Sequence, residues 1–140
     1  IESVKRYVAM DATSLKLAKK FWPGPLTFVL PLLENSRISP LVHRQSRCIA
    51  ARIPGALLLR DVMEHFGRPL VGTSANVSGL SNVRSEQEIF SQFSDQIDMY
   101  ALDPNQEISY IHSTIIKLEG EKVEILREGH IPTKKILETL

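Results

Sequence analysis

The period of the hydrophobic pattern changes several times along the chain, and each change predicts an element. Between Ala12 and Trp22 the apolar residues Leu15, Ala18 and Trp22 recur at near-helical spacing, with Asp11 or Thr13 placed to cap the first turn and Pro23 to stop it, so an amphipathic helix is expected. "LTFVLP" (26–31) is a short apolar run closed by proline and reads as a buried strand, and "CIAARI" (48–53) as a second. Between them "ENSRISPLVHRQS" (34–46) is polar and aperiodic, the composition of a surface loop. After Pro54-Gly55, Leu58, Val62 and Phe66 share one helical face with Leu59 and Met63 beside it, ending at Gly67 as a C-cap, which makes this the clearest helix of the chain.

Further along, "PLVGT" (69–73) reads as a strand, and Ser85-Glu86-Gln87-Glu88 is a capping box that opens a helix through Ile89, Phe90 and Phe93. "DMYAL", "STIIKL" and "VEILR" are three more expected strands, the last two joined as a hairpin across Glu119-Gly120-Glu121-Lys122. Pro132 is expected to start a closing helix. Strands interleaved with helices give an α/β or α+β domain, and the hairpin requires some antiparallel pairing. No repeat, low-complexity tract or linker divides the chain.

Composition narrows this picture. At 140 residues and 43% hydrophobic content the chain can bury one core and is short for two domains, so residues 1–140 are read as one domain or part of one. Lys+Arg number 17 against 16 for Asp+Glu, so the summed field supports neither direct RNA binding nor a polybasic membrane patch, and any anion site must be local. The lone Cys48 excludes an internal disulfide framework and reads as a small core residue; with four scattered histidines it makes no metal-ligand spacing. A reducing cytoplasm is the expected compartment. No stretch has the run of about 18 apolar residues needed to span a bilayer, and "IESVKRYVAM" is not a signal peptide. A start at Ile1 rather than Met suggests an excerpt.

The common phosphate loops, G-x-x-x-x-G-K-[ST] and G-x-G-x-x-G, are both missing, and no nucleophile elbow assembles Ser, His and Asp. No residue is singled out as catalytic. Four places could nevertheless hold an anion. "GTSANVSG" (72–79) crowds small hydrogen-bonding groups after an apolar run: it is either a turn or a ligand cradle in which Ser74 and Asn76, two apart, present a hydroxyl and an amide to one side. Arg52 shares a strand face with the small residues Cys48 and Ala50; it is either an edge arginine reaching water or a cation over a hollow. Arg127 ends a strand beside Glu128-Gly129, as a solvated terminus or an anion ligand. Ser113-Thr114 open a strand, where they either cap a turn or, with Ser113 on the face of Ile115 and Lys117, line a site.

Taken in order, "KKFWPGPLTFVLP", "IAARIPG", "RPLVGTSANVSG", "HSTIIKLEG" and "VEILREG" resemble the YrdC-like family, the threonylcarbamoyl-adenylate synthases, from about Leu15 to Gly129. The resemblance implies a twisted mixed sheet flanked by helices around a concave, positively lined cavity. It also implies an enzyme that condenses L-threonine, bicarbonate and ATP into threonylcarbamoyl-adenylate and pyrophosphate, with Mg²⁺ accompanying the nucleotide. A tRNA-modifying transferase would take the product downstream. By motif, Ser74, Asn76, Ser113 and Arg127 belong to the nucleotide site, with Arg52 and Thr114 as fainter transfers.

Two features depart from the family pattern. Its N-terminal Pro-Thr-x-Thr strand and Lys-x-Arg motif have no counterpart before Leu15, and Lys117 stands where an aspartate is usual. The chain is therefore expected to hold part of a site. The alternatives are a YrdC-like carbamoyl-transfer module of a hydrogenase maturation protein, or a nucleotide- or RNA-binding paralogue without synthase activity.

Overall fold

A computed structural model of the chain describes residues 1–76, 83, 85–101, 111–120 and 122–140. The helices are α1 (Glu2–Lys5), α2 (Ala12–Phe21), α3 (Pro40–His43), α4 (Leu57–Phe66), α5 (Glu86–Phe93) and α6 (Thr133–Leu137); the strands are β1 (Leu26–Pro31), β2 (Cys48–Ala51), β3 (Thr114–Glu119) and β4 (Lys122–Arg127). The strands form one mixed sheet in the order β2-β1-β3-β4. β1 pairs antiparallel with β2 and parallel with β3, and β3 pairs antiparallel with β4, so the expected hairpin is present with Glu119 opposite Lys122. The α/β class and the mixed pairing are as the pattern required.

Alternation along the strands separates the two faces of the sheet. Leu26, Phe28 and Leu30 of β1 and Ile116 and Leu118 of β3 point to one side, where Leu17, Ala18 and Phe21 of α2 pack with Val8, Ile131 and Ile136 to make the core. At about 1.5–3 kcal/mol per buried large apolar side chain, this layer is the main source of stability. The opposite face carries Val29, Ala50, Ile115, Lys117 and Glu119 and is open.

The apolar stripe of α2 is one residue out from the expected one. Ser14, Leu17, Ala18 and Phe21 are buried, whereas Leu15 is half-buried and Trp22 lies just beyond the helix. A serine can take a core position because its hydroxyl donates to the Asp11 carbonyl at 2.9 Å, while the Asp11 carboxylate caps the Ser14 amide at 2.7 Å. Trp22 is also buried, with its ring 4.7 Å from Phe28 and its Nε1 donating to the Leu26 carbonyl at 2.6 Å.

Other expectations need correction. The loop 34–46 contains α3, because Ser39 caps it and Pro40 occupies its first turn, a start signal that the polar composition obscured. Residues 69–73 form no strand: Leu70 and Val71 are exposed and neither free edge of the sheet receives them, and an extended segment without a paired edge gains no ladder hydrogen bonds. Residues 98–101 are likewise not a strand, and Leu102 lies outside the described residues.

α4 forms as its periodicity demands, and Gly67 caps it in the left-handed region at φ 69°, yet none of its residues is buried and Phe66 is 56% exposed. The serine half of the expected α5 capping box is present, with Ser85 Oγ accepting from the Glu88 amide at 3.2 Å. α6 follows Pro132 as expected. The Glu128 carboxylate accepts from the Thr133 amide at 2.8 Å and from its hydroxyl, and these bonds hold its pKa below the usual carboxylate range. Such a group stabilises the fold above the unfolded carboxylate pKa, and that contribution is lost as pH falls through the lowered folded value. Glu128→Gln is therefore expected to lower the melting temperature at neutral pH and to flatten its fall below about pH 4. Melting curves of both proteins across pH 2.5–7 check this, with about pH 4 as the divide.

Candidate functional site

The stretch Phe21-Trp22-Pro23-Gly24-Pro25-Leu26-Thr27 joins three strand ends. The Gly24 amide donates to the Ile53 carbonyl just after β2 at 2.9 Å, and the Pro25 carbonyl accepts from the Thr114 amide at the start of β3 at 3.0 Å. An added Cβ on Gly24 would sit 2.5 Å from the Phe21 carbonyl oxygen, so the glycine is required by close approach. These bonds tie the end of β2 and the start of β3 to the start of β1, and the pairing of Arg127 with Ile115 puts the end of β4 at the same end of the sheet.

Ser113 and Arg127 meet at one corner of that end. The Arg127 guanidinium donates to the Ser113 carbonyl from Nε at 3.2 Å and from Nη2 at 2.9 Å, and Nη2 also reaches Ser113 Oγ at 3.4 Å. Among the described residues nothing engages Nη1, whose two N–H groups remain to bind an anion. Thr27 Oγ1 lies 2.8 Å from Ser113 Oγ. Arg52 is exposed and lies one residue beyond the last β1–β2 pair, Phe28–Ala51, which sets it level with Thr27. Two arginines and two hydroxyls thus stand at one end of the open face, an arrangement suited to phosphate or carboxylate.

Thr114 does not belong to this group. It is fully buried on the covered face; its hydroxyl donates to the Ile131 carbonyl at 2.7 Å and accepts from the amides of Gly129 and Ile131, each at 3.0 Å. Strand alternation, which puts Ser113 on the open side, turns its neighbour inward. Gly129 is tied to the same place, since a Cβ there would lie 2.2 Å from the His112 carbonyl oxygen and 2.8 Å from that of Ser113. Gly129→Ala is expected to destabilise by about 1–3 kcal/mol and to displace Ser113, because backbone atoms cannot yield as side-chain tips do. A lowered denaturation midpoint together with weakened anion binding would bear this out; unchanged binding would separate the turn from the site.

Ser74 is exposed and Asn76 half-buried in an irregular segment off the sheet, and residues 77–79 of the "GTSANVSG" stretch lie outside the described residues. Cys48 is half-buried rather than a core residue. It lines a pocket of about 270 Å³ on the open face with Val29, Pro31, Lys117 and Asp11. This pocket is at the far end of β3, four residues from Ser113, or about 13 Å at strand rise. Lys117 there pairs with Glu119; their hydrogen bond and mutual charge raise the lysine pKa and lower that of the carboxylate. The anion corner and the pocket are therefore two ends of one surface.

Among the described residues no three His, Cys, Asp or Glu side chains gather to hold a metal ion, and no helix is long and apolar enough to cross a membrane.

Sheet order and the helices packed on one face define an α/β domain built on a four-stranded mixed sheet. The profile of the Sua5/YciO/YrdC family, described as telomere recombination, matches residues 1–129, and the chain belongs to that family. A putative threonylcarbamoyl-AMP synthase of Methanocaldococcus jannaschii is 32% identical over 133 residues, covering 95% of this chain and 60% of the relative. The threonylcarbamoyl-AMP synthase of an Enterobacter species is 45% identical over 74 residues, 53% of this chain and 38% of that protein. Pyrococcus abyssi Sua5, solved in complex with L-threonine, superposes on 100% of this chain and 41% of its own with a TM-score of 0.88 at 28% identity. Escherichia coli YciO shares the fold, with a TM-score of 0.82 at 22% identity. The chain spans about half the length of the curated relatives it matches.

Sequence reasoning missed Thr27. Its signal was available, since it closes the aromatic-Pro-Gly-Pro-Leu-Thr stretch that carried the family resemblance.

Proposed function

We propose that this chain is the part of a threonylcarbamoyl-AMP synthase that grips the phosphates of ATP, in an enzyme that joins L-threonine, bicarbonate and ATP and releases pyrophosphate. The observation that carries this reading is the pairing of Arg127 with Ser113 beside Thr27, with Arg52 at the same end of the sheet on the opposite edge. The names of the relatives supply the product, threonylcarbamoyl-AMP, and one of them was solved with L-threonine; ATP and bicarbonate follow from the family resemblance.

Displacement at the α-phosphorus moves negative charge onto the leaving pyrophosphate. The protein then has mainly to orient the reactants and supply fixed donors where that charge grows. Arg127 and Arg52 are the cations for this task and Ser113 a hydroxyl; Ser74 and Asn76, assigned by the motif and not by a contact with these residues, would add a second hydroxyl and an amide. No activated nucleophile is needed. Mg²⁺ is the ordinary companion of ATP and would be held mostly by phosphate oxygens, since the described residues bring no carboxylate set to this corner. The product would pass to a tRNA-modifying transferase in the cytoplasm.

The test is pyrophosphate release by the complete protein. It is expected only when ATP, threonine and bicarbonate are all present. Turnover of carbamoyl phosphate without threonine would replace this reading with the hydrogenase-type carbamoyl-transfer one. ATP-independent RNA binding with a steep salt dependence would favour a binding module.

A further inference from the structure

We propose that Thr27 is a positioning residue of the nucleotide site, setting the direction in which the Ser113 hydroxyl points. The inference rests on the nucleotide reading above and goes one step further into the same corner.

Ser113 Oγ has one proton and two lone pairs. A guanidinium only donates, so Arg127 Nη2, 3.4 Å away, takes up one lone pair. The contact with Thr27 Oγ1 at 2.8 Å can run in either direction. If Ser113 donates to Thr27, its single proton points into the protein and an oxygen lone pair faces the open side, which repels a phosphate oxygen. If Thr27 donates to Ser113, both lone pairs are filled and the serine proton is left for the ligand. An anion over the open face selects the second arrangement, and Thr27 permits it because its O–H rotates freely about the C–O bond. Arg127 and Thr27 then act together, one from each side, to make Ser113 a donor.

Two further observations support a role for this hydroxyl. Thr27 is only 9% exposed and sits in a largely buried strand, where valine would satisfy β-propensity equally well, so strand formation does not account for the hydroxyl. The neighbouring residues of the same stretch have structural tasks, Trp22 against Phe28 and the Leu26 carbonyl, Gly24 toward Ile53, Pro25 toward Thr114. Thr27 alone of them directs a polar side chain to the anion corner.

The experiment is calorimetric titration of the protein with ATP, using wild type, Ser113→Ala, Thr27→Val, Thr27→Ser and the Ser113→Ala/Thr27→Val double variant, with melting curves for each. Ser113→Ala and Thr27→Val are each expected to weaken binding about tenfold, the loss of roughly one hydrogen bond. Thr27→Ser should bind as wild type does. The double variant should bind no more weakly than Ser113→Ala, because Thr27 acts only through that hydroxyl. Wild-type affinity in Thr27→Val beside weakened Ser113→Ala would overturn the inference and leave the nucleotide reading standing. Losses that multiply in the double variant would also overturn it. Unchanged binding in Ser113→Ala, or no binding by wild type, would remove the nucleotide reading and the inference together. If Thr27→Val does not fold, Thr27→Ala takes its place; failure of both would mark the hydroxyl as structural and overturn the proposal.

Discussion

Replacing Arg127 with alanine is expected to weaken ATP binding roughly tenfold to a hundredfold, with little change in melting temperature. Charge-assisted hydrogen bonds contribute about 1.5–3 kcal/mol each, and about 1.4 kcal/mol is a factor of ten in affinity. Arg127 is exposed at the end of β4, so its removal leaves the core untouched. It nonetheless removes both a cation and the double hydrogen bond that steadies the Ser113 carbonyl. Arg127→Lys should recover only part of the loss, because an ammonium restores the charge without the planar fork. Titration with ATP at two salt concentrations separates the two contributions. Binding by Arg127→Ala equal to wild type would dismiss the corner as a phosphate site.

The second large effect is one of stability. Thr114→Val keeps shape and volume but deletes a buried hydroxyl that serves the Ile131 carbonyl and the amides of Gly129 and Ile131. Each buried group left without a partner costs about 1–3 kcal/mol, and partial relaxation brings the expected total to about 2–4 kcal/mol. A chain of this size would melt roughly 10 °C lower. Thr114→Ser should recover most of the loss. Nucleotide affinity of the folded Thr114→Val protein, measured below its transition, is expected to stay within a few-fold of wild type, since the side chain faces away from the anion corner. A large loss of affinity without destabilisation would return Thr114 to the binding site and contradict the covered-face placement.

These two residues show how far the site could be read in advance. Ser113, Arg127 and Arg52 could be named as polar groups at strand ends, each with a solvated or capping alternative left open, and only the resemblance of the surrounding motifs put them in one nucleotide site. Thr114 was nominated with them because it adjoins Ser113, and only the pleat direction separates the two. Thr27 went unnoticed because its partner is 86 residues away. α4 teaches the same lesson from the side of the core. Its stripe of Leu58, Val62 and Phe66 is a sound helix signal, and the helix is there, but periodicity says which face is apolar and not whether another layer covers it.

By itself the sequence determined the elements whose signals act within a few residues: a cap at Asp11 or Thr13, the Ser85 cap, the Gly67 stop, the apolar strands β1, β2 and β3, and the tight β3–β4 hairpin. These follow from local hydrogen bonding and from periods of 3.6 and 2, which need no knowledge of distant neighbours. Only the tertiary structure decided that β1 lies parallel to β3, that α2 buries Ser14 rather than Leu15, that residues 69–73 remain unpaired, and that Thr27, Ser113 and Arg127 converge. Those outcomes depend on which segments share one buried face, and that competition is settled over the whole chain at once.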